Sequence, residues 1–311
     1  MEIDVSVVVP VYSATRSLEA LRDRLATTMA DTGRSFELIL VDDRGNPASW
    51  PAVRALADHD DRVVGLRLGR NFGQHAATMC GIARARGRLV VTMDEDLEHP
   101  PEAIPSLLDA CSAEQPLVYG VFPRRTHARF RNVTSELMRW SLKKSFPDMN
   151  ESYTSFRVLH HSLAVRLADF QLNRPYIDGM LSWLTASVGT VMVAHGQRDD
   201  GRSAYTLKKL VSHATNIFVT FSNLPLRLAS YAGAALSISS FLYLVVVVYE
   251  RLTGQITNPG YASLMCAVLF ACGIQLMILG VLGEYVGRLM SAANRRPMYS
   301  VQEDTSRSSK P

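Results

Sequence analysis

Two stretches without a single charged residue, Leu228–Tyr249 and Tyr261–Leu282, constrain this chain more than any other feature. Each is long enough, as a helix, to cross roughly 30 Å of hydrocarbon. A buried helical hairpin in a soluble core is the alternative. The cluster Val245-Val246-Val247-Val248 and the flanking Arg227, Arg251, Arg288, Arg295 and Arg296 favour the membrane. Basic residues precede the first stretch and follow the second, whereas the link Glu250–Gly260 carries one Arg and one Glu. The positive-inside rule therefore expects a multi-pass protein of the inner membrane with both termini in the cytosol. The opening Met1-Glu2-Ile3-Asp4 has neither a basic n-region nor a long apolar h-region, so no cleavable signal peptide is expected.

The remainder of the 311 residues has ample apolar content for a packed domain. A formal charge of +4 is too mild for a protein dominated by nucleic-acid binding, which is not expected. Cys80, Cys111, Cys266 and Cys272 show no metal-ligand or redox spacing and read as ordinary reduced thiols. Val5–Val9 reads as a fully buried strand, Phe36–Val41 and Val63–Arg67 as a second and a third strand, and Leu18, Leu21 and Leu25 form a helical stripe between the first two. Strand, helix, strand predicts a parallel α/β sheet. The first strand reads as ending before Pro10-Val11-Tyr12. Leu117–Val121 adds a later strand. There is neither a Gly-x-Gly-x-x-Gly after the first strand nor a Gly-x-x-x-x-Gly-Lys-Ser/Thr anywhere, so dinucleotide and P-loop readings lose support.

Leu89-Val90-Val91 leads into Thr92-Met93-Asp94-Glu95-Asp96-Leu97-Glu98-His99-Pro100-Pro101. A buried strand of this kind delivers Asp94 and Asp96 to the sheet's C-terminal edge, where open α/β folds bind ligands. Two carboxylates one residue apart suit a hard divalent ion shared with substrate phosphates. The same pattern also occurs in plain loops, and Pro100-Pro101 also suits a helix start. Asp43, at the end of the second strand, either accepts hydrogen bonds from a nucleotide or caps the next helix.

In order and spacing, Val9-Pro10-Val11-Tyr12, Val41-Asp42-Asp43, Arg70-Asn71-Phe72-Gly73 and the Asp94–Pro101 motif resemble the family 2 glycosyltransferases. More narrowly, they resemble polyprenyl-phosphate glycosyltransferases related to dolichol-phosphate mannose synthase. Gly283-Glu284-Tyr285-Val286-Gly287-Arg288 and Arg296-Pro297-Met298-Tyr299 are similar to the end of the two-span bacterial members.

The resemblance implies a GT-A fold, a Rossmann-like and mostly parallel sheet, over residues 1–205. Interfacial helices over 206–227, a membrane hairpin over 228–287 and a cytosolic tail over 288–311 complete the expected organisation. It further implies an inverting, metal-dependent transfer of sugar from a nucleotide-sugar donor to an undecaprenyl-type phosphate, for cell-envelope or O-antigen glycans. Mg²⁺ or Mn²⁺ is expected on Asp94, Asp96 and Glu98, with Glu98 standing where relatives often place Gln. Pro10, Tyr12, Asp43, Asp94 and Glu95 fall on the donor side. Arg124, Arg131 and Ser135 fall on the acceptor phosphate. Asp96, Arg198, Ser155 and Arg157 mark the catalytic centre, and Ser203 belongs to the Arg-x-x-Gly-x-Ser loop over the diphosphate. Relatives often read Asn-Glu after the first-strand Tyr and Gly-Ser after the paired Asp, where this chain has Ser13-Ala14 and Arg44-Gly45. Some carry an Asp, read as a base, in place of Ser155. A hydroxyl acceptor on a lipid-linked glycan, or a non-catalytic membrane adaptor that only binds a sugar nucleotide, are the alternatives. A homo-oligomer is left open.

Overall fold

The computed structural model describes residues 3–13, 17–122, 153–170, 175–194, 260–293 and 297–307, together with scattered helical positions between 231 and 253. Contacts divide the chain into two compact units, Met1–Thr206 with Arg295–Pro311, and Leu207–Asn294.

The first unit is built on one eight-stranded sheet. Its strands are β1 (Val5–Val11), β2 (Phe36–Asp42), β3 (Val63–Leu68), β4 (Leu89–Thr92), β5 (Leu117–Val121), β6 (Arg157–His160), β7 (Val188–Met192) and β8 (Val301–Asp304), in the order β7-β5-β6-β4-β1-β2-β3-β8. β4, β1, β2 and β3 run parallel, while β6 and β8 are antiparallel to their neighbours. The parallel centre follows from its sequence. Every residue of β1 and β2 is buried, as strands covered by helices on both faces must be.

One face of the sheet packs α1 (Ser17–Thr32), α2 (Ser49–His59) and α4 (Ile104–Ala110) around Leu18, Leu21, Leu25, Val53 and Leu107. The other packs α3 (Gln74–Arg84), α5 (His161–Ala168) and α6 (Ile177–Leu184). α3 comes very close to the sheet. A Cβ on Gly81 would meet Val8 Cγ1 at 2.3 Å, so the small residues Ala76, Ala77, Cys80 and Gly81 are what permit the approach.

β1 continues through Pro10, past the expected end, to Val11. The reason lies in its neighbours. β4 stops opposite Val8, and Val11 C=O already accepts from Asp43 N–H on the β2 side. The N–H that Pro10 lacks would face the side that β4 has vacated, where no ladder bond is lost.

In the second unit α7 (Tyr261–Ala293) is longer than the apolar stretch that announced it. Its segment Phe270–Gly287 is long and apolar enough to cross a membrane, and none of that segment is buried. The described positions of the first stretch, Tyr231, Ile238, Leu242 and Tyr243 among them, are helical and exposed.

Candidate active site

The carboxylates gather where β1, β2 and β4 end. β4 closes at Thr92, and the chain turns through Asp94–Pro101 into a short 3₁₀ turn and α4. Leu97 makes the turn with φ of 62°, a left-handed conformation unusual for a branched residue. Its side chain is buried in the core, and that contact offsets the backbone cost. Asp96 Oδ1 accepts the Glu98 N–H at 3.2 Å, the local bond by which an Asp stabilises such a turn.

Asp94 is held from three sides. Gln74 Nε2 donates to its Oδ1 at 2.7 Å, and Ser155 Oγ donates to its Oδ2 at 2.8 Å. The Asp94 backbone N–H donates to His99 Nδ1 at 3.0 Å. The His99 ring stacks on Phe156 at 5.1 Å and on Phe122 at 5.6 Å. Burial holds the imidazole below the usual histidine range against the pull of Asp94, Asp96 and Glu98. A neutral ring that accepts at Nδ1 carries its proton on Nε2, the nitrogen 4.0 Å from Asp94 Oδ2.

Glu95, between the two aspartates, reaches across to β1. Its carboxylate accepts the backbone N–H groups of Tyr12 and Ser13, each at 3.0 Å, and so fixes the loop after the first strand. Tyr12 is 54% exposed, and its ring lies over Gly45, where a Cβ would stand 2.4 Å from the ring. That close approach is why a glycine occupies position 45. Asp43 is buried, and its carboxylate accepts the N–H groups of Phe72 at 2.7 Å and Gly73 at 2.8 Å. Burial pushes its carboxyl above the usual carboxylate range, in opposition to those two bonds, and Asp42 beside it adds to the rise. Asp43 thus shapes the Arg70–Gly73 loop that leads into α3, and through it the position of Gln74.

Arg157 is fully enclosed. Its Nη1 pairs with Asp178 on α6, its Nε donates to Thr92 Oγ1 at 3.2 Å, and Tyr119 Oη donates to the same Asp178 oxygen at 2.9 Å. Arg157 therefore ties β6, β4, β5 and α6 together immediately behind Ser155.

The structure brings together Pro10, Tyr12, Asp43, Asp94, Glu95, Asp96, Glu98 and Ser155 along one edge of the sheet, with Arg157 buried behind them. Arg124, Arg131, Ser135, Arg198 and Ser203, and the basic segment to Lys144, lie outside the described residues. The sequence reading gave no role to Gln74 or His99. A Gln directly after the Gly at a helix start, and a His at the end of an acidic turn, were the signals available. Among the described residues, no group of three or more His, Cys, Asp or Glu side chains gathers to hold a metal ion. An oxygen-only pair of carboxylates still fits a hard divalent cation that draws most of its ligands from phosphate and water.

Comparison with known proteins decides the family. The model of glycosyl transferase family 2 matches residues 6–171, more than half of the chain. The chain belongs to that family. It is a glycosyltransferase, and residues 224–289 match the GtrB C-terminal hairpin. A Bacillus subtilis protein named uncharacterized glycosyltransferase YkcC is 32% identical, over 97% of this chain and 94% of its own. The undecaprenyl-phosphate 4-deoxy-4-formamido-L-arabinose transferase of Pseudomonas aeruginosa is 31% identical, over 96% of this chain and 89% of its own. Among solved structures, glucosyl-3-phosphoglycerate synthase of Mycobacterium tuberculosis with Mn²⁺, UDP-glucose and phosphoglyceric acid superposes with a TM-score of 0.53 at 20% identity. It covers 70% of this chain and 78% of its own. That likeness concerns the sheet and its helices, which are those of GT-A enzymes.

Proposed function

We propose that this glycosyltransferase moves a sugar, with inversion, from a nucleoside-diphosphate sugar to a polyprenyl phosphate of undecaprenyl type at the cytosolic face of the membrane. The observation that carries the reading is the state of Ser155. Its hydroxyl donates to Asp94 Oδ2, so it braces the carboxylate pair and does not act as a base. A lipid phosphate needs no base. The second pKa of a phosphomonoester is near 6, so the acceptor is largely dianionic at pH 7 and attacks the anomeric carbon without giving up a proton. One of its oxygens forms the new bond, and the bond from the anomeric carbon to the nucleoside diphosphate breaks with its electrons on the departing oxygen. A sugar-hydroxyl acceptor would normally want a general base. The relative that acts, by its name, on undecaprenyl phosphate supports the same acceptor.

In this reading Asp94 and Asp96, with Glu98 beside them, hold Mg²⁺ or Mn²⁺, whose Lewis acidity neutralises the leaving diphosphate. The M. tuberculosis neighbour with Mn²⁺ and UDP-glucose supports a divalent ion in general. Tyr12 offers an exposed ring to the nucleoside beside Pro10, while Asp43 and Glu95 hold the loops around it. Arg198 and Ser203 serve the donor diphosphate, and Arg124, Arg131 and Ser135 the acceptor phosphate. Arg157 keeps β6, and with it Ser155, in place. The apolar segments near 228–249 and 261–287 anchor the enzyme with both termini in the cytosol, the region over 206–227 lies at the interface, and the products enter cell-envelope or O-antigen glycans.

The test is a transfer assay with the purified full chain, vesicles containing undecaprenyl phosphate, Mn²⁺ and a panel of labelled nucleotide sugars. A lipid product that mild acid cleaves, as expected of a glycosyl phosphate, supports the proposal. An acid-stable product moves the acceptor to a hydroxyl. No transfer with any donor, together with nucleotide binding unaffected by Asp96→Ala, removes the transferase reading in favour of a binding protein.

A further inference from the structure

β8 is a polar edge strand with a purpose its sequence does not advertise. It lies antiparallel on β3, with Leu66 opposite Asp304, Arg67 opposite Glu303 and Leu68 opposite Val301. The register shifts between Arg67 and Leu68, which leaves Gln302 as the extra residue of a bulge. Bulges of this kind re-aim a side chain. Here Gln302 Oε1 accepts from Arg44 Nη2, in the loop that follows β2. Arg44 Nε donates to Leu68 C=O at 2.8 Å, at the end of β3. Next along the chain, Ser300 C=O accepts the N–H of Gly69 at 2.8 Å. The loop holding Arg44 and Gly45, on which the Tyr12 ring lies, and the loop opening at Gly69 are thus both tied to the C-terminal segment.

Arg44 pays a conformational penalty to be there. Its φ is 54°, in the region that a non-glycine residue rarely occupies. A strained residue whose side chain joins two loops and a bulged strand beside a binding edge is a positioning device.

We infer that the C-terminal strand is a working part of the donor site. Through Gln302 and Arg44 it fixes the spacing of the two loops that bound the nucleoside end, and both are positioning residues for the donor nucleotide. The inference rests on the nucleotide-sugar reading above. The segment follows α7 closely in sequence, so the element that leaves the membrane helix is also the one that frames the donor pocket.

The experiment uses the full chain in detergent. UDP, GDP, CDP and dTDP, each with Mn²⁺, are titrated into the wild type by calorimetry, and the preferred one is then titrated into Arg44→Gly, Gln302→Ala and the double variant. Glycine accepts the left-handed backbone freely, so Arg44→Gly removes the side chain without adding backbone strain. Each single variant is expected to raise the Kd about tenfold or more, the lower end of the worth of one hydrogen bond to a charged group, and the double variant no further than the worse single. The KM for polyprenyl phosphate and the melting temperature stay near wild type, whereas a merely structural role would move both. Unchanged nucleotide affinity in both single variants, or an acceptor KM that rises in step with the Kd, overturns the inference alone. A wild type that binds none of the four nucleotides overturns the donor reading, and this inference with it.

Discussion

A single carboxylate shows how tightly side-chain chemistry is specified here. Asp94 has one donor on each oxygen, from Gln74 on α3 and Ser155 ahead of β6, so its rotamer is fixed before any ligand arrives. Groups that orient a metal ligand are worth about 10- to 100-fold in metal affinity. Gln74→Ala and Ser155→Ala are therefore each expected to raise the Mn²⁺ concentration for half-maximal transfer about 10-fold or more, with donor held at saturation. A metal titration that superposes on wild type for both would show that Asp94 keeps its place without them. Arg157 raises a separate question, because it is an arginine with no exposed surface to speak of. Truncating it to Met leaves Asp178 buried without its counter-charge, and breaking a buried pair from one side costs about 3–5 kcal/mol. Arg157→Met should lower the denaturant midpoint of the purified protein strongly, and Arg157→Met with Asp178→Leu should recover much of the loss. An unchanged midpoint in the single variant would place the pair outside the stability core. The sequence made the importance of Asp94 and Arg157 legible, because the motifs name them. It could not separate an arginine that faces substrate from one that faces Asp178, since that depends on where α6 packs.

Among the elements, the sequence was most readable where burial dictates composition. β1, β2 and β4 are dominated by apolar, mostly β-branched residues because helices cover both faces of the sheet there. β8 is the opposite case. Val301-Gln302-Glu303-Asp304 has no apolar alternation, and what makes it a strand is the vacant edge of β3 together with side-chain partners supplied from far away in sequence. Glu303 accepts from Arg67 Nη1 at 2.8 Å and from Trp50 Nε1 at 3.1 Å, and Thr305 Oγ1 accepts the Gly65 N–H at 2.9 Å. No local signal could announce these. The bond from Arg67 holds the Glu303 carboxyl below the usual glutamate range, so its stabilisation is present at pH values above that range. It is lost as the pH falls through the lowered pKa. Glu303 is partly exposed, and the pair should contribute no more than about 1 kcal/mol. Glu303→Gln is thus expected to melt slightly below wild type at pH 7. The two melting temperatures should converge as the pH drops below the ordinary glutamate range, and a gap that widens in acid would contradict the assignment.

At the scale of the molecule, the chain joins a GT-A-like sheet to long apolar helical segments. Phe270–Gly287 carries exposed Leu276, Met277 and Leu279 on a helix with none of that segment buried, an arrangement that water penalises and a bilayer rewards. The two halves should then fail separately. A charge at the centre of a spanning helix costs about 2.5–3.5 kcal/mol on an insertion scale, so Leu279→Arg acts on anchoring and leaves the carboxylate edge untouched. The variant is expected to leave the membrane pellet under alkaline wash in larger part than wild type, and to transfer sugar to vesicle-borne polyprenyl phosphate more slowly. Its affinity for nucleotide with Mn²⁺, measured on the full chain in detergent, should match that of the wild type. If nucleotide affinity falls together with membrane retention, the helix supports the donor fold directly and the separation of donor chemistry from lipid access is wrong. If neither changes, the segment is not a span.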